Sequence, residues 1–192
     1  MKLTVTTFLT LDGVMQGPGG ADEDRSDGFE LGGWLPAFMD PAAGTFVAEW
    51  FARADAFLLG RRTFETFAAF WPRVTDPGDP VASRLNGRPK FVVTRTLTAT
   101  TWTGTELVTD DLATAVGAIK AMPGDEGQVH GSGTLVRSLH DLGLTDEYRL
   151  WTFPVVVGQG RRLFTGGLVP RSFELGTEVI IDETGTRSPF DE

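Results

Sequence analysis

Three short segments bring glycine, hydroxyl and guanidinium groups together: Gly60-Arg61-Arg62-Thr63, Thr94-Arg95 and Gly131-Ser132-Gly133-Thr134. Each follows a β-rich run, and the first and third open a helical pattern. At a helix start the first N–H groups have no intrahelical acceptor, and the helix dipole favours negative charge there. Small residues then let a phosphate approach the backbone closely. A guanidinium forks onto phosphate oxygens, so arginines at two of the three points favour a nucleotide with an additional phosphate, NADPH over NADH. Gly131 to Gly133 is half of a dinucleotide fingerprint, because Leu135-Val136 stand where the third glycine would fall. A Gly-x-Gly after a strand also makes a plain turn, and Arg61-Arg62 also reads as an exposed helix start. The weight lies in the combination, since open α/β sheets bind ligands beyond the carboxyl ends of their strands.

Aromatic residues are the next candidates. Trp50 and Trp71 lie on helical apolar stripes and read as core. Trp34 and Phe46, with Phe153 at a strand end, are candidate walls for a flat-ring pocket. The acidic run Asp22, Glu23, Asp24, Asp27 and Glu30 matches no calcium loop and reads as a solvated surface. No metal site is expected. His140, near the end of a helical pattern, reads as a cap or surface residue.

These groups need a scaffold, and the periodicity supplies one. Lys2 to Leu9 is strand-like and ends at the turn Leu11-Asp12-Gly13, followed by a long irregular stretch from Val14 to Asp40. Helices are expected over Gly44–Asp55, Arg61–Phe70, Asp110–Ala121 and Thr134–Leu142, the second stopped by Pro72. Strands are expected at Ala56–Leu59, Lys90–Arg95, Glu106–Val108, Gln128–His130, Glu147–Val157 and Ser172–Asp182. The proline-rich Asp76–Pro89 reads as a surface loop. Strands separated by helices of about ten residues imply βαβ units. The expectation is one α/β domain with a central, mostly parallel sheet flanked by helices and antiparallel C-terminal edge strands.

Composition narrows the partners. The chain has 192 residues, 41% hydrophobic and 22% charged, which suits a folded domain. A net charge of −9 disfavours nucleic acid and anionic membranes. The basic clusters Arg61-Arg62, Arg161-Arg162 and Arg84 to Lys90 are short enough to serve one phosphate each. With no cysteine, thiolate metal sites and a cysteine nucleophile are excluded, and a cytoplasmic setting is expected. No apolar run is long enough to span a membrane, and the N-terminus enters a strand pattern without a signal-peptide core.

Taken together, Leu58-Leu59-Gly60-Arg61-Arg62-Thr63-Phe64-Glu65, Lys90-Phe91-Val92-Val93-Thr94-Arg95, His130-Gly131-Ser132-Gly133-Thr134-Leu135-Val136 and Asp146 to Gly158 resemble the dihydrofolate-reductase-like fold. More closely, the chain is similar to stand-alone relatives of the reductase domain of the riboflavin-biosynthesis deaminase/reductase, the RibD C-terminal domain family. The resemblance runs from Leu3 to about Phe164. It implies NADPH-dependent hydride transfer to a C=N bond of a ribosylaminopyrimidine-like or pterin-like small molecule, in a homodimer. It places the 2′-phosphate at Gly60, Arg61, Arg62, Thr63, Thr94 and Arg95, and the pyrophosphate at Gly131, Ser132, Gly133, Thr134 and Leu135. Asp12 falls beside the nicotinamide and substrate. The acid that dihydrofolate reductases carry on the first helix is missing, because Gly44 or Thr45 stands there. Glu49, one turn on, points away from the apolar stripe and reads as solvated. Where the riboflavin-pathway reductases place a substrate-contacting glutamate, this chain has His130. A histidine there can donate a proton or hydrogen bond to the substrate, or can simply pack at the strand end. The alternative from another class is an NADPH-binding module without turnover. The family usually closes its sheet with a further strand after Asp182, for which no apolar run remains.

Overall fold

The structure, a computed structural model, describes residues 1–176. They divide into two compact units, one of residues 1–7 and 47–151, the other of residues 8–46 and from Thr152 onward. Strands β1 (Lys2–Thr10) and β6 (Glu147–Phe153) and helix α1 (Pro41–Ala52) pass from one unit into the other.

The first unit is built on β2 (Ala56–Gly60), β3 (Lys90–Val93), β4 (Thr105–Val108) and β5 (Glu126–Val129), with the sheet order β4-β3-β2-β5-β1-β6. Pairing is parallel throughout, with Leu58 opposite Phe91, Phe57 opposite Gln128 and Val5 opposite Val129. The antiparallel C-terminal edge strands expected from the sequence are therefore corrected. β6 is the edge and runs with β1, since Leu3 bonds Asp146 and Leu11 bonds Val155, so both chains advance together. Ser172–Gly176 adopts no strand, and the rest of that expected strand lies outside the described residues.

Every residue of β2 is buried, as a strand covered on both faces requires. Helix α2 (Arg61–Phe70) lays Phe64, Phe67 and Ala68 onto a core of Phe51, Phe57, Leu59, Leu85 and Val92. Helix α4 (Leu112–Ala121) is capped by Asp111, whose carboxylate accepts from the Thr114 N–H at 2.9 Å.

The segment read as a surface loop contains a helix, α3 (Pro80–Gly87). Proline is favoured at the first helical position, and Asp79 caps it by accepting from the Val81 and Ala82 N–H groups at 2.9 Å. At its other end the buried Lys90 ammonium donates to the Leu85 and Arg88 carbonyls at 2.8 and 2.9 Å and lies 4.7 Å from the Trp102 ring. Burial pushes its pKa down to about 8. Lys90 thus closes a helix rather than serving a phosphate.

In the second unit, Phe153 stands among Phe8, Trp34 and Phe38 at centroid distances of 5.8 to 6.0 Å. The 14–40 segment is tied down rather than merely solvated. Arg161 donates to Ser26, Asp24 and Asp27, and Glu23 accepts from the Gly19 and Gly20 N–H groups. Arg161 and Arg162 are thereby paired internally, Arg162 with Asp12. Among the described residues no helix is long and apolar enough to cross a membrane.

Candidate functional site

β2 lies between β3 and β5, so the three glycine- or hydroxyl-bearing strand ends are neighbours at the carboxyl edge of the sheet. The Gly60 N–H donates to the Gly131 carbonyl at 2.9 Å. A Cβ built on Gly60 would stand 2.7 Å from the Ser132 nitrogen and closer still to its hydroxyl, so only glycine lets the two segments meet. Gly131 has φ +126°, a backbone that favours glycine, and its peptide bond to Ser132 is cis.

Two helices begin at this junction. α2 starts directly after Gly60, and α5 (Gly133–Asp141) after Ser132; neither has a side-chain cap, although α3 and α4 are both capped by aspartate. The leading N–H groups of Arg61, Arg62 and Thr63, and of Gly133, Thr134 and Leu135, thus precede the first intrahelical bonds. The pair of positive helix ends has the chemistry to cradle a diphosphate or an esterified phosphate. Leu135 offers only its backbone there, because its side chain is in the core. Arg61, Arg62 and Arg95 are exposed, and Arg61 pairs loosely with Glu65 at 3.2 Å. Thr94 is buried, and its hydroxyl accepts from the Thr96 and Leu97 N–H groups, shaping the turn that presents Arg95.

His130, the residue before the cradle, lies in a cage of rings. Phe51 stacks on it at 4.6 Å and 14°, with Phe57 at 5.8 Å and Phe67 at 6.2 Å. Part of the residue still reaches solvent. Removal from water holds its pKa down at about 3, with smaller opposing effects of Glu126 and Arg149. Burial therefore favours the neutral imidazole, in which one ring nitrogen donates and the other accepts a hydrogen bond.

Sequence reasoning passed over what stands behind it. Glu126 and Gln128 share one face of β5, and the Nε2 of His130, just beyond the strand's end, lies 2.9 Å from Gln128 Oε1. Gln128 Nε2 donates to Glu126 and to the Trp50 carbonyl, both at 2.6 Å. Arg149 forks onto Glu126 at 2.8 and 2.9 Å and also reaches Glu147. Burial raises the Glu126 carboxyl, but the Arg149 and Gln128 hydrogen bonds outweigh it and hold the pKa below its ordinary value. The visible signal was polar alternation, Glu126-Gly127-Gln128-Val129-His130, in a strand that parallel packing should make apolar.

The second unit holds the candidate substrate residues. The Asp12 carboxylate is occupied: it accepts from the Thr10 hydroxyl at 2.7 Å, from the Val157 and Gly158 N–H groups, and from Arg162. Burial raises its pKa, and these bonds outweigh that and lower it. Trp34 is 0% exposed, its indole donating to the Gln16 carbonyl at 3.0 Å, so it is core and not the wall of an open pocket. Phe153 is likewise buried, whereas Phe46 remains partly exposed. Glu49 is exposed. His140, expected as a cap or surface group, is buried and its Nδ1 lies 3.0 Å from the Tyr148 hydroxyl.

A parallel sheet whose central strands end in paired, uncapped helix starts defines an α/β protein. Residues 1–184 match the RibD C-terminal domain, and the chain belongs to that family. The protein YyaP of Bacillus subtilis (strain 168), itself uncharacterised, is 28% identical over 165 residues, 85% of this chain and 80% of its own. A crystal structure from Shewanella sp. PV-4, of a protein provisionally assigned by its name to riboflavin biosynthesis, superimposes with a TM-score of 0.61 at 23% identity, covering 89% of this chain and 86% of that one. Dihydrofolate reductase from Enterococcus faecalis, complexed with NADP(H) and RAB-propyl, gives a TM-score of 0.53 at 14% identity over 85% of this chain and 77% of that one. The two solved structures, at 23% and 14% identity, show the fold that these chains share.

Proposed function

We propose that the protein is an NADPH-dependent reductase acting on a C=N bond of a ribosylaminopyrimidine-like or pterin-like heterocycle. The observation that carries this reading is the junction at Gly60 and Ser132, where two uncapped helix starts present their N–H groups side by side. The residues fit a dinucleotide phosphate chain: backbone N–H groups of residues 133–135 for the pyrophosphate, and Arg61, Arg62, Thr63 and Arg95 for a 2′-phosphate. A bound dihydronicotinamide supplies the hydride, delivered to the carbon of C=N, and is itself oxidised. The nitrogen takes its proton from solvent, because His130 is neutral at working pH. Phe46 is retained as a substrate contact, whereas Trp34 and Phe153 are core residues. A homodimer belongs to the same reading, and sedimentation checks it.

The test follows loss of dihydronicotinamide absorbance with the purified protein, NADPH and a panel of ribosylated aminopyrimidines and pterins. Turnover above the protein-free rate with one of them supports the reading. NADPH binding without turnover on the whole panel favours the second reading, a nucleotide-binding module, for which the missing first-helix acid and the neutral His130 speak.

A further inference from the structure

The buried charges behind β5 have no evident place in cofactor binding. Glu126 and Arg149 are 3% and 10% exposed at the side chain, an arrangement that gives little net stability over an apolar pair. Their geometry nevertheless fixes the orientation of an amide. Gln128 Nε2 faces two acceptors, the Glu126 carboxylate and the Trp50 carbonyl. Only the NH2 end satisfies both, so Oε1 is the atom turned toward the imidazole. An oxygen there accepts, and the His130 Nε2 must therefore carry the hydrogen. The other ring nitrogen, Nδ1, is then a lone pair, and it has no hydrogen-bond partner among the described residues. Phe51 covers one face of the ring and limits its rotation. Thr4, which pairs with Gln128 across the sheet, and Thr6 beyond it carry buried hydroxyls without partners on the same face.

We propose that Arg149, Glu126 and Gln128 are positioning residues that hold His130 as the Nε2–H tautomer, so that Nδ1 presents a hydrogen-bond acceptor to an N–H group of the heterocyclic substrate. This rests on the reductase reading for the identity of the ligand, but the tautomer does not. A histidine locked in this tautomer presents an acceptor without placing a charge beside the two helix starts. An aminopyrimidine or pterin edge, rich in N–H donors, is the matching chemistry. A substrate offering only acceptors there would meet a lone pair and be rejected.

The test uses the chain's 2 histidines. Nitrogen NMR of the full-length protein at neutral pH reads each ring nitrogen, with His140, which faces Tyr148, as the internal reference. His130 is expected to show a protonated Nε2 and an unprotonated Nδ1. An Nδ1–H tautomer or an imidazolium overturns the proposal whatever the protein's activity. With NADPH present, saturating pterin or diaminouracil should shift the His130 Nδ1 resonance toward hydrogen bonding and leave His140 unmoved. Binding seen by tryptophan fluorescence without that shift overturns the recognition role while the reductase reading stands. If neither probe binds and the tautomer is as expected, recognition falls because the reductase reading has failed, and the chain of side chains keeps its geometry. Gln128→Met removes the acceptor for Nε2–H. It should give a tautomer mixture and raise KM for the heterocycle about tenfold, the worth of one neutral hydrogen bond, with NADPH affinity unchanged. An unchanged tautomer in Gln128→Met contradicts the positioning role, and the wild-type spectrum decides the matter if that variant does not fold.

Discussion

Gly60 and Ser132, 72 positions apart in the chain by their numbers, approach so closely that a single added methyl group on Gly60 would meet the Ser132 nitrogen at 2.7 Å. That approach aligns the start of α2 with the start of α5. Gly60→Ala must push the two segments apart, at a cost of about 1–3 kcal/mol for overpacking. The expected outcome is at least a tenfold loss of NADPH affinity, with a cooperative unfolding transition retained; titration of the folded variant checks it.

The proposed function assigns selectivity between cofactors to the arginines. On that reading Arg61→Ala removes a guanidinium that would meet a 2′-phosphate, a charge-assisted bond of roughly 1.5–3 kcal/mol. NADPH should bind roughly ten- to a hundredfold more weakly, and NADH should change less than twofold. Parallel titrations of the two nucleotides against this variant measure the difference.

The buried imidazole gives a pH dependence with a definite sign. His130 has a native pKa of about 3 against 6.5 in the unfolded chain, so between these values the unfolded state holds a proton that the native state lacks. Stability therefore falls as pH drops below 6.5, by up to about 1.4 kcal/mol per pH unit. His130→Phe should flatten the dependence between about pH 5 and 6.5, above the range where carboxylates dominate. Urea denaturation across that window is the measurement.

Glu126 and Arg149 stabilise only as a pair. Arg149→Met leaves a buried carboxylate unmatched and should cost about 3–5 kcal/mol, most of which the added change Glu126→Gln should restore. Because the native Glu126 pKa lies below its ordinary 4.5, its contribution is present above that value and is lost as pH falls further. A double-mutant cycle in urea checks both statements.

Much of the scaffold was legible because apolar period and caps agree. α2 carries Phe64 and Phe67 at helical spacing and ends before Pro72, and α4 follows the cap Asp111. α3 was missed because the proline-rich Asp76–Pro89 read as a surface loop, although Pro80 directly after Asp79 is a start signal. The glycines at Gly60 and Gly131–Gly133 marked where two strand ends meet, since few backbones but glycine tolerate the approach. Trp34 and Phe153 were misread as pocket walls, because burial among tertiary neighbours leaves no trace in a residue's type. The role of Gln128 was equally hidden. Its partners Trp50, Glu126 and His130 meet only once β5 is placed beside α1 within the first unit.

The central claim concerns the cradle, and its most direct test is a fluorescence titration of the purified protein with NADPH and, separately, with NADH. The 5 tryptophans report binding by quenching or energy transfer to the dihydronicotinamide. Saturable NADPH binding, at least tenfold tighter than that of NADH and weakened in Arg61→Ala, is the expected result. Failure of both nucleotides to bind would contradict the assignment of the Gly60–Ser132 junction as a dinucleotide site and, with it, the reductase reading.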